Sequence, residues 1–397
     1  MPEIWAGIDI GKEHHHCVVI DADGRRLLSR RVVNDEVALR ELISDVREVS
    51  AQVLWAVDLN HGGASLLIAM LTGHGQPVAY LTGLAVHRAS GTYRGEGKTD
   101  ARDAFVIADQ ARMRRDLGIL RPGDEIAVDL RILTARRSDL VADRTRQINR
   151  LRAQLLEIFP ALERAFDYSS SKAALILLTS YQTPAAIRAA GVSGIEASLR
   201  QARARNAAAV ARAAISAAQA QHTVVPGERL AAGMVAQLAR EVISLDEQIT
   251  EISALIEARF RSHPLATVIA SLPGVGPVLG AELIAATGGD MAAFGSPGRL
   301  AAFAGLAPAP RDSGRITGNL RRPRHYHRGL LRAFYLSSMI SIRSCPASRT
   351  YYDRKRAAGK THTQAVLALS RRRVNVLWAM IRDGHCYQDS PPATAAA

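Results

Sequence analysis

The first third of the chain alternates short apolar runs with amphipathic segments. Apolar runs at residues 4–10, 15–20 and 25–33 have strand length and are separated by turn residues, which predicts an antiparallel three-strand meander. The pattern then predicts a helix at 36–49, a strand at 53–58, a helix through Leu71, a strand at 77–81 and a further helical stretch. Three strands, helix, strand, helix, strand, helix is the order of the ribonuclease H-like α/β fold.

Two long segments, 126–159 and 229–260, have apolar residues at alternating steps of three and four. This spacing predicts a helical coiled-coil region whose helices pack against each other or across a dimer. Between them lies an Ala- and Arg-rich stretch, roughly 194–221, that offers little core material. It is interpreted equally well as a solvated helix or as a helix that contacts a nucleic-acid backbone. Its arginines are Arg200, Arg203, Arg205 and Arg212.

The remainder of the chain is again mostly helical. Gly274 and Gly276 stand between two helical segments, a pattern typical of a helix-hairpin-helix whose backbone N–H groups hold a phosphate, although a tight helix connection also favours glycine. A Gly- and Arg-rich loop follows at 311–328, then helices from 330 to 381 with a basic patch at Arg371, Arg372 and Arg373.

At 397 residues the chain is long enough for several cores. The patterns predict an α/β domain at 1–123, a helical oligomerisation region at 124–263 that holds the Ala/Arg-rich insertion, a mostly α-helical domain at 264–386 and a disordered tail at 387–397.

Charge narrows the possible partners. Lys and Arg number 51 against 37 Asp and Glu, which gives a net charge of +14 and favours binding to a polyanion such as nucleic acid. Three scattered cysteines are too few for a disulfide framework or a zinc cluster. With no apolar run of membrane-spanning length, we expect a cytoplasmic, nucleoid-associated protein.

Four aspartates are candidates for metal binding. Asp9 and Asp58 end predicted strands of the sheet, where groups at the carboxyl ends converge on one crevice. Asp100 and Asp103 lie three residues apart, so they share one face at the start of a helix. Magnesium prefers such oxygen ligands, and two ions can assist phosphoryl transfer. The alternative is that Asp100 is only a helix N-cap and Asp103 a first-turn residue.

Two other groups of residues have competing interpretations. The histidines at 14–16 look like a metal cluster, but strand alternation sends them to opposite faces, which favours a surface or edge strand. Ser313 lies in an Asp-Ser-Gly sequence that is common in turns. Its hydroxyl is also placed among many arginines, as a nucleophile facing a scissile phosphate would be.

Six motifs occur in order along the chain and together carry a family resemblance. They are Gly7-Ile8-Asp9, Val57-Asp58, Lys98-Thr99-Asp100-Ala101-Arg102-Asp103-Ala104, Leu272-Pro-Gly-Val-Gly276, Phe303-Ala-Gly-Leu306 and Asp312-Ser313-Gly314. From about residue 4 to residue 385 the chain resembles the DEDD-type transposases of insertion-sequence family one-ten, which are similar to bridge-RNA-guided recombinases.

This resemblance implies a RuvC-like domain in which Asp9, Asp58, Asp100 and Asp103 bind Mg²⁺ or Mn²⁺, and a C-terminal transposase domain with Ser313 as nucleophile. It implies strand exchange between donor and target DNA through a phosphoserine, a noncoding bridge RNA, and a homo-oligomer, dimer or tetramer. The residues expected to bind nucleic acid are Lys98, Arg102, Gly274, Gly276, Arg311, Arg315, Arg321, Arg322, Arg324 and Arg328. The family usually has glutamate where this chain has Asp58, and a shorter central insertion.

Three alternatives remain open at the level of sequence. A RuvC-like metal-dependent nuclease would hydrolyse branched DNA with water and would not need Ser313. An actin-like phosphotransferase would use the Gly7–Gly11 segment as a phosphate loop, although a second phosphate motif and an adenosine motif are missing. A catalytically silent nucleic-acid binder would keep salt-dependent binding after the four aspartates were replaced.

Overall fold

The structure is a computed structural model that describes residues 2–59, 62–81, 83–93, 97, 99–115, 117–120, 125–315, 317–321 and 323–388. The chain divides into two compact units, Met1–Asp124 and Glu125–Ala397. Lys98, Arg322 and the predicted tail from residue 389 onward lie outside the described residues.

The first unit is a mixed sheet with helices. Its elements are β1 (Ile4–Asp9), β2 (His14–Ile20), β3 (Arg26–Val33), α1 (Glu36–Val49), β4 (Val53–Val57), α2 (Ser65–Gly73), β5 (Val78–Tyr80), α3 (Gly83–Ser90), α4 (Asp100–Met113) and β6 (Ile119–Leu120). The strand order is β3-β2-β1-β4-β5-β6. The predicted antiparallel meander is confirmed, and β4 and β5 add in parallel beside β1. The sequence did not predict β6, because a two-residue strand has no periodicity.

Strand alternation decides which helix covers which side of β1. Ile4, Ala6 and Ile8 join the core formed with α1 and α2. On the other face, Ala104 and Ala108 of α4 pack with apolar residues of β2. A β-carbon added to Gly7 would overlap the backbone of both alanines, so only glycine allows α4 to lie this close to the sheet.

The histidine-rich strand β2 is not at an edge, as the sequence suggested, but lies between β3 and β1. His15 is only 1% exposed and Cys17 is fully buried, both on interior positions of the sheet. The edge-strand interpretation failed because it considered only the run of polar residues, whereas the predicted meander already places the second strand between the first and the third.

The second unit is mainly helical. Its elements are α5 (Glu125–Ile158), α6 (Pro160–Ala165), α7 (Lys172–Ser180), α8 (Pro184–Gln201), α9 (Ala207–Gln219), α10 (Glu228–Arg261), α11 (Ala266–Ser271), α12 (Pro277–Thr287), α13 (Pro297–Phe303), β7 (Ala309–Pro310), β8 (Leu320–Arg321), α14 (Arg328–Ser344), α15 (Pro346–Ala357) and α16 (His362–Asp383).

The two long helices α5 and α10 pack against each other within the chain. Asp129, near the start of α5, binds Arg259 near the end of α10, while Arg144 farther along α5 binds Asp246. This order of partners makes the pair antiparallel. The step pattern therefore predicted a real helix pair, and its supercoiling as a coiled coil stays a prediction.

Two apolar cores form along this helix pair. One joins α6 to α9 with the end of α5 and the start of α10, and the other joins α11 to α14 and α16 with the opposite ends. The expectation that the Ala-rich stretch lacks core material is wrong, because six residues of α9 are buried. A single alanine buries little apolar surface area, but its small side chain lets helices approach closely. The four arginines of this stretch remain exposed.

The predicted helix-hairpin-helix corresponds to α11, a short turn and α12. Gly274 has a φ of +80°, and a β-carbon there would overlap the Ser337 carbonyl of α14. Arg373, part of the predicted basic patch, is 3% exposed and donates to the Pro273 carbonyl. Both observations tie this turn to the domain core, and its phosphate-binding role stays a prediction. Among the described helices, none has the length and apolar character to span a membrane.

Candidate active site

Sheet register brings two of the predicted acids together. In the parallel pair, Ile8 lies opposite Val57, so Asp9 and Asp58 follow at neighbouring strand ends. Adjacent strands lie about 4.8 Å apart, and the Ile10 backbone N–H donates to Asp58 Oδ1 at 3.3 Å. On the other side of β1, Asp9 is paired with His16 of β2. Asp9, Asp58 and His16 therefore lie at one end of the central strands.

Helix α4 brings the other two acids to the same end. Because α4 crosses β1 at Gly7, its first turn lies near the strand ends. The charge of Asp103 acts on Asp58, and the charge of Asp100 acts on His16. The four carboxylates Asp9, Asp58, Asp100 and Asp103 are called the acid corner below.

The start of α4 also tests the simpler interpretation of Asp100. The N-cap is Thr99, whose hydroxyl accepts the Arg102 backbone N–H at 3.2 Å. Asp100 is the first helical residue and is exposed. The N-cap alternative for Asp100 is therefore wrong, and its carboxylate is available for another role.

Burial shapes the electrostatics of the acid corner. The pKa of Asp58 is raised, mainly by desolvation, with a further contribution from Asp103; backbone hydrogen bonds act in the opposite direction. Two carboxylates that repel each other in a partly dry site are stabilised by a cation. Oxygen-only donors suit Mg²⁺ and Mn²⁺. Within the described ranges, however, no three acidic, His or Cys side chains are close enough together to hold a metal ion.

Arg102 has a structural position that the sequence did not reveal. Its guanidinium donates to three backbone carbonyls, those of Gly97, Ser90 and Tyr93. These bonds hold the segment that leads into α4, and therefore the acids at its first turn. Contact of Arg102 with nucleic acid stays a prediction.

The predicted nucleophile lies on a small β-hairpin of the second unit. Strands β7 and β8 pair Ala309 with Arg321 and Pro310 with Leu320. The Arg311 backbone N–H donates to the Asn319 carbonyl at 2.8 Å, which closes the loop between them. Residues 309–321 are called the serine hairpin below.

Within the serine hairpin, Ser313 is exposed and precedes Gly314, whose φ is +55°. The neighbouring carboxylate of Asp312 accepts the Asn319 backbone N–H at 2.9 Å. Asp312 therefore acts as a loop-closing residue, and the serine hydroxyl beside it faces solvent. Several arginines near Ser313 in the sequence were predicted to bind DNA. Those that the structure describes are all exposed: Arg311, Arg315, Arg321, Arg324 and Arg328.

The segment after the hairpin is anchored by aromatic residues. Gly305 has a φ of +69°, and a β-carbon there would overlap the Tyr326 ring. The His327 backbone donates to the Phe303 carbonyl at 2.8 Å, and His327 Nδ1 accepts the Leu330 N–H to cap α14. This explains the Phe-Ala-Gly-Leu motif as the support on which the loop rests.

Sequence reasoning missed one group beside the acids and one buried acid farther along α4. His16 was set aside with its histidine neighbours, although its register with Asp9 marks it as part of the corner. Asp109 of α4 is buried between Tyr93, whose hydroxyl donates at 2.7 Å, and Arg112. The available signal was an acidic residue within the apolar run 104–111 of a predicted helix.

Two models of known protein families match the chain. Residues 6–160 match a DEDD transposase model described as "Transposase", and residues 266–353 match the "Transposase IS116/IS110/IS902 family". The first match contains the acid corner and the second contains the serine hairpin.

Several relatives resemble the chain at the sequence level. The insertion element IS900 uncharacterized 42 kDa protein of Mycobacterium paratuberculosis is 62% identical over 99% of this chain and 98% of its own length. The insertion element IS116 uncharacterized 44.8 kDa protein of Streptomyces clavuligerus is 51% identical over the same shares. A pilin gene-inverting protein of Moraxella bovis is 30% identical over 36% of this chain and 43% of its own. By its domain matches and its full-length similarity, the chain belongs to the IS116/IS110/IS902 family of insertion-sequence transposases, enzymes that act on DNA.

Proposed function

We propose that this transposase cuts and rejoins DNA through a covalent phosphoserine at Ser313, assisted by divalent metal ions at the acid corner. The observation that carries the proposal is the exposed Ser313 hydroxyl on a hairpin with exposed arginines. The hairpin sequence has Arg311, Arg315 and Arg321 against the single carboxylate of Asp312, so its net charge is positive. Such a field attracts a phosphodiester to the hydroxyl.

In the proposed first step, Ser313 Oγ forms a bond to the scissile phosphorus and the bond from phosphorus to the 3′ oxygen breaks. The serine loses its proton, and the departing 3′ oxygen gains one to become a hydroxyl. In the second step, the 3′ hydroxyl of another strand attacks the phosphoserine and releases Ser313. The number of phosphodiester bonds is conserved, so rejoining needs no nucleotide cofactor.

DEDD-type transposase domains generally depend on divalent metal ions, and the donor chemistry of the acid corner fits Mg²⁺ or Mn²⁺. Asp58 and Asp103 would share an ion, with Asp9 and Asp100 as further ligands. A bound ion would stabilise negative charge on the phosphate and on the leaving oxygen. The chain itself contributes the rigid strand ends and the Arg102 clamp that keep these carboxylates in place.

The arginines of the serine hairpin and its flanks would bind phosphates next to the scissile one. Guanidinium groups form paired hydrogen bonds with phosphate oxygens, which suits positioning. Lys98 and Arg322 belong to the same proposal, as do the backbone N–H groups at Gly274 and Gly276. Of these two glycines, Gly276 has open space around its α-carbon at the uncapped start of α12.

Rejoining distinguishes this proposal from hydrolysis by a RuvC-like nuclease. Gene inversion, the activity in the printed name of the Moraxella relative, requires that every cut strand be joined again. The name of that relative therefore supports the recombinase proposal over the hydrolytic nuclease. A noncoding guide RNA and a dimeric or tetrameric assembly are proposed on the family resemblance; the protein would then recognise backbone and shape while base pairing supplies sequence.

The decisive experiment mixes the full-length protein, Mg²⁺, RNA transcribed from the flanks of the gene and labelled junction DNA. It then looks for a denaturant-resistant protein–DNA adduct. Ser313→Ala and Asp103→Asn are tested beside Thr317→Ala, a matched loss of an exposed hydroxyl in the same hairpin. We expect Ser313→Ala and Asp103→Asn to abolish the adduct, and Thr317→Ala to preserve it.

Cutting without an adduct, with Ser313→Ala still active, would establish the hydrolytic nuclease instead. An adduct that persists in Ser313→Ala would place the nucleophile on another residue. Omitting the RNA tests the guide separately, since the chemistry of Ser313 does not depend on how the target is chosen.

A further inference from the structure

A cluster of positive charge lies on a different part of the second unit, around the ring of Tyr351 on α15. Arg354 and Lys355 of the same helix lie 5.1 Å and 5.4 Å from the ring centroid. Arg372 of α16 lies 5.2 Å from it. These four residues are called the Tyr351 surface below.

Three cations on one ring repel one another, and nothing in the described part of the chain neutralises them. The nearby carboxylate of Asp353 is paired with Arg349 at 2.7 Å. Within the described residues, none of the three cations forms an ion pair with a carboxylate. Attraction between each cation and the face of the ring partly offsets this repulsion.

The helix dipole explains part of this arrangement but not all of it. Arg354 and Lys355 lie in the last turn of α15, where cations interact favourably with the helix terminus. Arg372 comes from α16, so that effect does not account for its position. The ring instead acts as a platform that fixes two planar guanidinium groups beside an ammonium group before any ligand arrives. Such pre-organisation lowers the entropy cost of binding an anion.

We propose that the Tyr351 surface binds the phosphodiester backbone of duplex DNA without reading sequence, as a contact additional to the serine hairpin. The three side chains offer positively charged N–H donors that match phosphate oxygens, and contacts to phosphate do not depend on the base sequence. Duplex DNA supplies closely spaced phosphates, so several cations can be neutralised together. The net charge of +14 and the membership in a transposase family agree with this partner.

The test measures binding of the full-length protein to a fluorescein-labelled DNA duplex of about 30 random base pairs, by anisotropy at several NaCl concentrations. EDTA is present, so strand cutting and the metal site do not contribute. We expect Arg354→Gln/Arg372→Gln to weaken binding roughly tenfold and to reduce the slope of log affinity against log salt by about 2, one unit per lost phosphate contact. Thermal unfolding of each variant confirms that it folds.

Two further variants make the interpretation specific. Arg354→Lys/Arg372→Lys keeps the charges, and we expect it to retain most of the salt slope. Arg136→Gln/Arg240→Gln removes the same charge from exposed positions of α5 and α10, and we expect it to leave the slope unchanged.

The proposal is overturned if the Arg354/Arg372 glutamine variant behaves like this charge-matched control. A loss confined to an RNA duplex of the same sequence would also overturn it, since it would identify RNA as the ligand. Neither outcome bears on the phosphoserine, because the assay involves no covalent step.

Discussion

The acid corner and the serine hairpin are built in opposite ways. The acid corner rests on a central sheet and on a helix that touches the sheet backbone at Gly7, so buried packing fixes it. The serine hairpin has two paired residues on each strand, exposed side chains and a few loop-closing hydrogen bonds. Local stability follows buried contacts, so packing holds the acid corner, whereas the serine hairpin is held by only a few hydrogen bonds. Mutations should therefore affect the two regions through different observables.

The largest effect is expected at Gly7. Gly7→Ala places a methyl group against the backbone of α4, which cannot move aside without displacing the helix. We expect a loss of about 3 kcal/mol in the free energy of unfolding, measured by urea denaturation. Gly73→Ala is the control, because a β-carbon there meets open space. An unchanged midpoint for Gly7→Ala would show that α4 is not seated as described.

Arg102 distinguishes a structural clamp from a phosphate ligand. Arg102→Gln removes bonds to three carbonyls, and we expect a loss of about 2 kcal/mol in stability. Arg102→Lys should not restore it, because an ammonium group cannot reach three separate carbonyls as the planar fork does. Full rescue of stability and DNA binding by lysine would instead identify Arg102 as a simple charge contact.

On the serine hairpin, the expected effect is on rate rather than on stability. Asp312→Ala removes the acceptor of the Asn319 N–H and loosens the loop that presents Ser313. We expect the rate of adduct formation to fall about tenfold, with an unchanged melting temperature because the loop is exposed. Asp23→Ala, at an exposed turn of the first unit, serves as the control. A large fall in melting temperature for Asp312→Ala would contradict the view that the hairpin carries little of the fold.

The smallest effect concerns pH. Burial lowers the pKa of His15, so between that lowered pKa and about 6.5 the unfolded chain binds more protons than the folded one. The free energy of unfolding of the first unit should therefore rise with pH through this window and reach its full value above it. His15→Leu should flatten the dependence by about 1 kcal/mol or less between pH 5 and pH 7, measured from urea midpoints. The exposed His74→Gln should leave the wild-type slope intact.

Much of the first unit was predictable because its periodicity is local. Apolar residues at every second position predicted the meander, and residues typical of helix starts predicted α1 and the start of α4. The predicted bounds agree with the observed ones to within a residue or two. The same patterns also gave the order of elements along the chain, from which Asp9 and Asp58 were expected at converging strand ends. His15 and Arg373 were misjudged because burial depends on what returns from elsewhere in the chain. The same reason explains α9, whose alanines form a core only when its neighbouring helices arrive.

Residue types and their spacing were enough to identify the family and the net charge. They also predict the four acids and the serine with its arginines as site residues, since each prediction depends only on residue type and spacing. Tertiary structure alone decided that His16 lies beside the acids and that Arg102 holds three carbonyls. The position of three cations around the Tyr351 ring likewise follows only from tertiary packing. Spacing along the chain fixes only which groups share a strand or helix face, whereas packing between distant segments fixes which groups meet.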